Sequence, residues 1–233
     1  MNSIRIGGIE KFSIVDFPNK MSAVVFMQGC PWRCPYCHNA HLQDVEAQTN
    51  IVWQKFIDFL KQRKGILDAV VFSGGEPLVQ KALKESIVEV RHLGYEIGLH
   101  TGGYLPKHFK EILPEVDWVG FDVKAPLKEN KYKEITGGVA DVEKVVESLK
   151  ILCESGKSFE CRTTCDPRFL SIDDIYTIAR SLKKMGVKEY YLQKYRPIPS
   201  DSDTDESKCL ALVEDEKLLK YLKESFEIFD VRK

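Results

Sequence analysis

Two hydrophobic periods alternate along the chain. Short apolar, β-branched runs recur at Ala23–Met27, Ala69–Phe72, Glu96–Leu99, Trp118–Val123, Phe159–Thr164 and Tyr190–Tyr195, as buried or half-buried strands require. Between them the apolar residues fall three or four apart. In 52–63, Val52, Phe56 and Leu60 recur every fourth residue, and 79–93, 140–154 and 171–185 read the same way. That spacing predicts helices with one apolar stripe. Strand–helix alternation predicts a parallel sheet covered by helices. Six such units predict an α/β fold, an incomplete (β/α)6 TIM-like barrel. A doubly wound open sheet has the same periodicity and remains the alternative.

The ends read as additions to that unit. Residues 4–16 predict a strand or hairpin ahead of the first unit, and "FEIFDV" (226–231) a last strand. Segment 206–224 predicts one helix with Leu210, Leu212, Val213, Leu218 and Leu222 inward. Segment 196–207 is polar and turn-rich, hence a loop. No internal repeat and no composition break divides the chain, so 1–233 reads as a single domain.

Composition narrows the function classes. Hydrophobic residues make up 43 % of 233, enough for a substantial core. The formal net charge of −1 gives no basic field, which argues against a nucleic-acid partner. No apolar run reaches 18 residues, so no membrane partner is expected. The start "MNSIRIGGIEKFSIVDF" has no apolar h-region, so no signal peptide is expected. Seven cysteines, an odd count, argue against a disulfide framework and for thiols kept in a reducing cytoplasm.

Three of those cysteines carry the candidate chemistry. Cys30, Cys34 and Cys37 are spaced C-x3-C-x2-C in "GCPWRCPYCHN". Structural zinc and the common iron–sulfur clusters each take four ligands, so three thiolates are one short. A [4Fe–4S] cluster held by three keeps one iron open to a further ligand. Cys30 directly follows the first predicted strand, at the sheet end where α/β folds place their sites. The plain alternative is a zinc knuckle with His38 as fourth ligand. Against it, His38 is adjacent to Cys37, which is awkward for a closed tetrahedron, and no second C-x2-C pair follows at zinc-ribbon spacing.

"CPWRCPYC", with the aromatic Tyr36 just before its last cysteine, resembles the signature of the radical S-adenosylmethionine (SAM) superfamily. The wider stretch "VVFMQGCPWRCPYCHN" and the preceding "FSIVDFPNKMSAVVF" resemble the activating enzymes of glycyl radical proteins, above all those serving anaerobic ribonucleoside-triphosphate reductase. Residues 40–50 are short and hold no cysteine, which resembles the compact type without a ferredoxin-like insert. The resemblance implies a [4Fe–4S] cluster on Cys30, Cys34 and Cys37, and SAM as the second cofactor beside Tyr36.

Further strand tips supply candidate SAM contacts. "SGGEP" (73–77) follows the second predicted strand. Its glycines free the backbone for close approach, and Pro77 suits a first helical turn. Alone this is a strand–turn–helix joint, but the resemblance implies that Gly74, Gly75 and Glu76 hold the amino group of SAM. In 116–124, alternation puts Val119, Phe121 and Val123 under the helices and Trp118, Gly120, Asp122 and Lys124 into the barrel. Asp122 and Lys124 either pair with each other or, as the resemblance implies, meet the ribose and carboxylate of SAM. On 158–165, Glu160, Arg162 and Thr164 point inward and Phe159, Cys161 and Thr163 outward. Arg162 is a natural fork for a carboxylate, whether that of SAM or of Asp122 or Glu160. Thr101 in "LHTGG" sits where the family has a Thr-Asn-Gly-like turn, with Gly102 in place of Asn. Tyr191, Gln193 and Tyr195 share a face, and Gln193 is a SAM contact or barrel filling. Cys161 and Cys165 repeat C-x3-C but fall where a strand wants small apolar residues; Cys153 and Cys209 read as structural.

The activity implied is reductive cleavage of SAM to a 5′-deoxyadenosyl radical, which generates a glycyl radical on a partner enzyme, with anaerobic ribonucleoside-triphosphate reductase as the expected partner. A flavodoxin or ferredoxin is the expected electron donor. The acidic stretch 201–206 is a candidate partner contact or a solvated loop. Two alternatives stand beside this: the same chemistry on a small molecule such as a deazapurine precursor, and a non-enzymatic zinc module.

Overall fold

One eight-stranded sheet, with strands in chain order, organises the molecule. The computed structural model describes residues 4–198 and 205–233, so most of the acidic stretch 201–206 lies outside the described residues. The elements run β1 (Ile6–Ser13), β2 (Ser22–Met27), α1 (Trp53–Gln62), β3 (Ala69–Gly74), α2 (Leu83–His92), β4 (Glu96–Thr101), α3 (Pro106–Ile112), β5 (Trp118–Asp122), α4 (Glu129–Thr136), α5 (Val142–Glu154), β6 (Ser158–Cys165), α6 (Ile172–Lys184), β7 (Glu189–Lys194), α7 (Glu206–Glu214), α8 (Glu216–Ser225) and β8 (Ile228–Arg232). Strands β2 to β8 are parallel, and β1 is antiparallel to β2. Among the described residues no ladder joins β8 to β1, so the barrel stays open.

The six expected strands are all present, with the extra strand before and the last strand after them. Alternation also gave the right faces. Val119, Phe121 and Val123 join the large core between sheet and helices, whereas Trp118 packs with Phe17, Val24, Ala69 and Val71 in a small second cluster. Phe17 comes from the β1–β2 connection. Its ring lies 5.3 Å from that of Trp118. It also sits against Gly98, where an added Cβ would be 3.0 Å from Phe17 Cδ2.

The helices depart from expectation in three places. Val52 is exposed and caps α1, and the buried stripe is Phe56, Ile57 and Leu60. Segment 206–224 is two helices, because Asp215 leaves helical geometry and accepts the Leu218 N–H to start α8. Helices α3 and α4 had no clear stripe. The first has seven residues entered through Pro106; the second reads "ENKYKEIT", polar apart from Tyr132 and Ile135. Elsewhere local signals agree with the fold, as in the reciprocal Ser171–Asp174 capping box of α6.

Candidate active site

The cysteine loop leaves β2 through Gly29, whose φ of +100° a side chain would resist. Gly29 N–H donates to Leu42 O at 2.7 Å and Cys30 N–H to Gln43 O at 3.1 Å, closing the loop's base. Helix α4 clasps its middle: Arg33 N–H donates to Thr136 O at 3.0 Å, and Gly137 turns left-handed against Arg33. The Trp32 indole packs edge-on to Tyr104 and Tyr132.

Gly74 and Gly75 serve that loop. Gly74 has φ +105°, and a Cβ there would lie 2.4 Å from Met27 N; one on Gly75 would lie 2.2 Å from Gly29 O. The freed backbone donates from Gly75 to Met27 O at 3.0 Å and from Glu76 to Gly29 O at 2.9 Å. The close approach is therefore first an extension of β2–β3 pairing that seats Cys30. Buried Glu76 accepts from Thr101 Oγ1 at 2.6 Å, Gly102 N–H at 2.9 Å and Leu78 N–H at 3.2 Å. Burial raises its pKa, against which these bonds and Lys124 work. Its carboxylate fixes the tip of β4.

A cavity of ≈ 200 Å³ opens over these tips. It is lined by Cys30, Cys34, Cys37, Tyr36, Gly74, Gly75, Glu76, Thr101, Asp122, Lys124 and Arg162. Gln193 is not among them; it lines an adjoining cavity of ≈ 740 Å³, which shares His38, Arg162 and Thr164 with the first. Sequence reasoning missed Trp32, Ser73 and His100 as lining residues. The same alternation that turns Ile97 and Leu99 outward would have turned His100 inward.

The charges form one connected group. Arg162 donates to Asp122 at 3.0 Å, and Lys124 Nζ lies 3.5 Å from the other Asp122 oxygen. Burial pushes the Asp122 carboxyl up, but Arg162 and then Lys124 outweigh it and hold it at about 2. Burial opposes the charge on Lys124, yet Asp122 leads a set of neighbours that hold its pKa well above the usual lysine value. Glu160 is taken by Arg232, at 2.5 and 2.7 Å. His100 Nε2 lies 2.9 Å from Asp16 O, and Ser73 Oγ 3.3 Å from Nδ1. Two cations against one carboxylate leave the Asp122–Lys124–Arg162 group one positive charge in surplus, matching a single carboxylate ligand.

The zinc-knuckle geometry is absent. His38 Nε2 lies 2.7 Å from Arg196 O and its ring stacks on Tyr195. A carbonyl only accepts, so Nε2 carries the proton and donates. Among the described residues no three of His, Cys, Asp or Glu converge as one metal ion needs. Burial pushes the Cys30 thiol up to about 12 and raises that of Cys34. Two buried side-chain polar atoms lack a partner among the described residues: Trp32 Nε1 and Tyr36 Oη, both in the cysteine loop. An unpaired buried donor costs ≈ 1–3 kcal/mol and calls for a missing partner. Three cysteines on one cavity wall, two orphaned buried donors in their loop and a carboxylate-matching charge group together fit a [4Fe–4S] cluster with SAM beside it. Cys161 and Cys165 are buried in the core behind β6, with Cys165 Sγ 3.5 Å from Thr163 O.

The radical SAM superfamily model matches residues 24–165. A Methanocaldococcus jannaschii protein named as a glycyl-radical enzyme activating enzyme is 34 % identical over 225 residues, covering 91 % of this chain and 88 % of its own. The pyruvate formate-lyase-activating enzyme of Clostridium pasteurianum is 30 % identical over 239 residues, covering 96 % and 98 %. Among solved structures, Streptococcus suis SuiB bound to S-adenosylmethionine superposes with TM-score 0.65 at 18 % identity, over 88 % of this chain; the chain spans 45 % of SuiB, and the likeness shows the fold. No helix among the described residues is long and apolar enough to cross a membrane. Members of the superfamily use a [4Fe–4S] cluster and SAM. The chain belongs to the radical SAM superfamily and, within it, to the family of glycyl-radical enzyme activating enzymes.

Proposed function

We infer that this protein generates a glycyl radical on a partner enzyme, and that the partner is anaerobic ribonucleoside-triphosphate reductase. The observation that carries the reading is the pair of adjoining cavities. The smaller is lined by the three cysteines and the charge group; the larger, at ≈ 740 Å³, leaves room beside it for a polypeptide segment. Near full-length similarity to two activating enzymes supports the glycyl-radical part of this reading; the reductase as partner rests on the resemblance of the stretch around the three cysteines.

Cys30, Cys34 and Cys37 would hold the [4Fe–4S] cluster, which when bound would supply the single electron for reductive cleavage of SAM to methionine and a 5′-deoxyadenosyl radical. Arg162 and Lys124 bind the SAM carboxylate through their surplus charge. Asp122 keeps acceptor capacity for a ribose hydroxyl. Gly74, Gly75, Glu76 and Thr101 shape the pocket for the amino group, with Glu76 acting through the β4 tip it holds. Tyr36 closes the cavity against Phe169 and Tyr195, excluding water. Gln193 serves the larger cavity. A flavodoxin or ferredoxin delivers the electron, in the cytoplasm.

The test is anaerobic. Reconstituted protein, reductant and SAM are mixed with the reductase and read by electron paramagnetic resonance. A glycyl doublet with stoichiometric 5′-deoxyadenosine is expected. Deoxyadenosine without a doublet would reject this partner and favour a small-molecule substrate.

A further inference from the structure

Trp32 sits between the first two cysteines and is 2 % exposed. Its surroundings fix how the indole lies. Gly102 closes on the benzo end: a Cβ there would be 2.1 Å from Cζ3 and 2.4 Å from Cη2. The pyrrole end, which carries Nε1, therefore lies on the side of the cysteine loop. One face looks toward Lys124, whose Nζ is 5.4 Å from the ring centroid. Tyr104 and Tyr132 meet the ring edge-on, with centroids 6.1 and 6.5 Å away. The residue is clamped on several sides, yet its single donor has no acceptor among the described residues.

An indole N–H can only donate. A thiol sulfur is a weak acceptor, whereas an iron-bound thiolate or sulfide is a strong one. A donor buried at a cost inside the cysteine loop gains its acceptor once the loop is loaded. We propose that Trp32 Nε1–H donates a hydrogen bond to a sulfur ligand of the cluster and raises its reduction potential. The bond stabilises the more negative, reduced state, since hydrogen bonds to sulfur set cluster potentials. The inference rests on the cluster assignment above and is independent of which partner the enzyme activates. Trp32 is a positioning and tuning residue, acting through the sulfur it would bond.

The test compares the reconstituted wild type with Trp32→Phe, and with the chain carrying β-(3-benzothienyl)alanine at position 32, which keeps the bicyclic shape and loses the N–H. Iron and sulfide content is measured first. Spectroelectrochemistry then gives the midpoint potential, and electron–nuclear double resonance in H₂O and D₂O gives exchangeable-proton couplings to the reduced cluster. With iron content equal to wild type, both variants are expected to be about tenfold harder to reduce, ~59 mV for a one-electron couple, and to lose one exchangeable-proton coupling. An unmoved potential and unchanged couplings in the benzothienyl chain would overturn the hydrogen bond and leave the N–H to the tyrosine rings, a second-order contact. A wild-type chain that takes up no iron would overturn the cluster assignment itself, and this bond with it.

Discussion

Arg162 places two nitrogens on a single oxygen of Asp122: Nε and Nη2 lie 3.0 and 2.8 Å from Oδ1. The two residues are register partners on β5 and β6. Oδ2 is left to Lys124 at 3.5 Å, with acceptor capacity to spare. The guanidinium fills one side of the carboxylate and turns the other to the cavity.

Arg162→Ala should therefore weaken SAM binding by roughly 1.5–3 kcal/mol, the range for a hydrogen bond to a charged group. Arg162→Lys should not restore it, because an ammonium cannot span two acceptors in a fixed fork. Equilibrium dialysis with labelled SAM reads both. Binding by the Lys variant equal to wild type would contradict the fork.

Gly102→Ala tests the clamp on Trp32. The new methyl would overlap the benzo end of the indole, so the ring must move or the strand tip must yield. Overpacking of this kind costs about 1–3 kcal/mol. Urea unfolding of the metal-free chain should show that loss.

Arg232→Ala should be more damaging than its place at the chain's end implies. It strips the hydrogen-bonded partner from Glu160, which is 0 % exposed, and leaves only Arg162, at 4.0 Å, opposite it. Breaking a buried pair from one side costs about 3–5 kcal/mol. Arg232→Ala with Glu160→Gln should recover part of it in the same unfolding assay, since position 160 then holds no under-compensated buried carboxylate.

His100 gives the pH prediction. Burial, then the adjacent Arg162, lower its pKa from 6.5 to about 3. Above pH 6.5 the imidazole is neutral folded or unfolded and contributes nothing. Between about 6.5 and 3 only the unfolded chain takes the proton, so stability falls with pH by up to about 1.4 kcal/mol per unit from this group. Denaturant unfolding from pH 7 to 5 should show a shallower loss in His100→Gln than in the wild type. Equal slopes would refute the assignment.

Much of this was readable from the sequence. Strict alternation on β5 and β6 sent Asp122, Lys124 and Arg162 to one side, and the cysteine spacing picked out three thiols that line one cavity. What escaped depends on neighbours distant in sequence. Val52 continues the helical period but begins the helix, where no sheet residue covers it. Gly74 and Gly75 look like ligand-contact glycines, and only the fold shows Met27 and Gly29 occupying that space. Gln193 shares its face with Tyr191, but the reach of β7 sets it in the neighbouring cavity. The glycine at 102 has a reason the sequence could not show: Trp32, seventy residues earlier, already fills the volume a side chain would need.

The antiparallel first strand has a mechanical consequence. Among the described residues no ladder joins β1 to β8, the outer flank of β1 carrying a single bridge from Ile6 to Ile51, and the β1–β2 connection lines the cavity between them. A fully closed cylinder would have to rupture backbone pairing to widen. Here the cavity opens where no ladder closes the sheet, so a bulky guest entering there meets the side chains of the β1–β2 connection and of β8 rather than paired backbone.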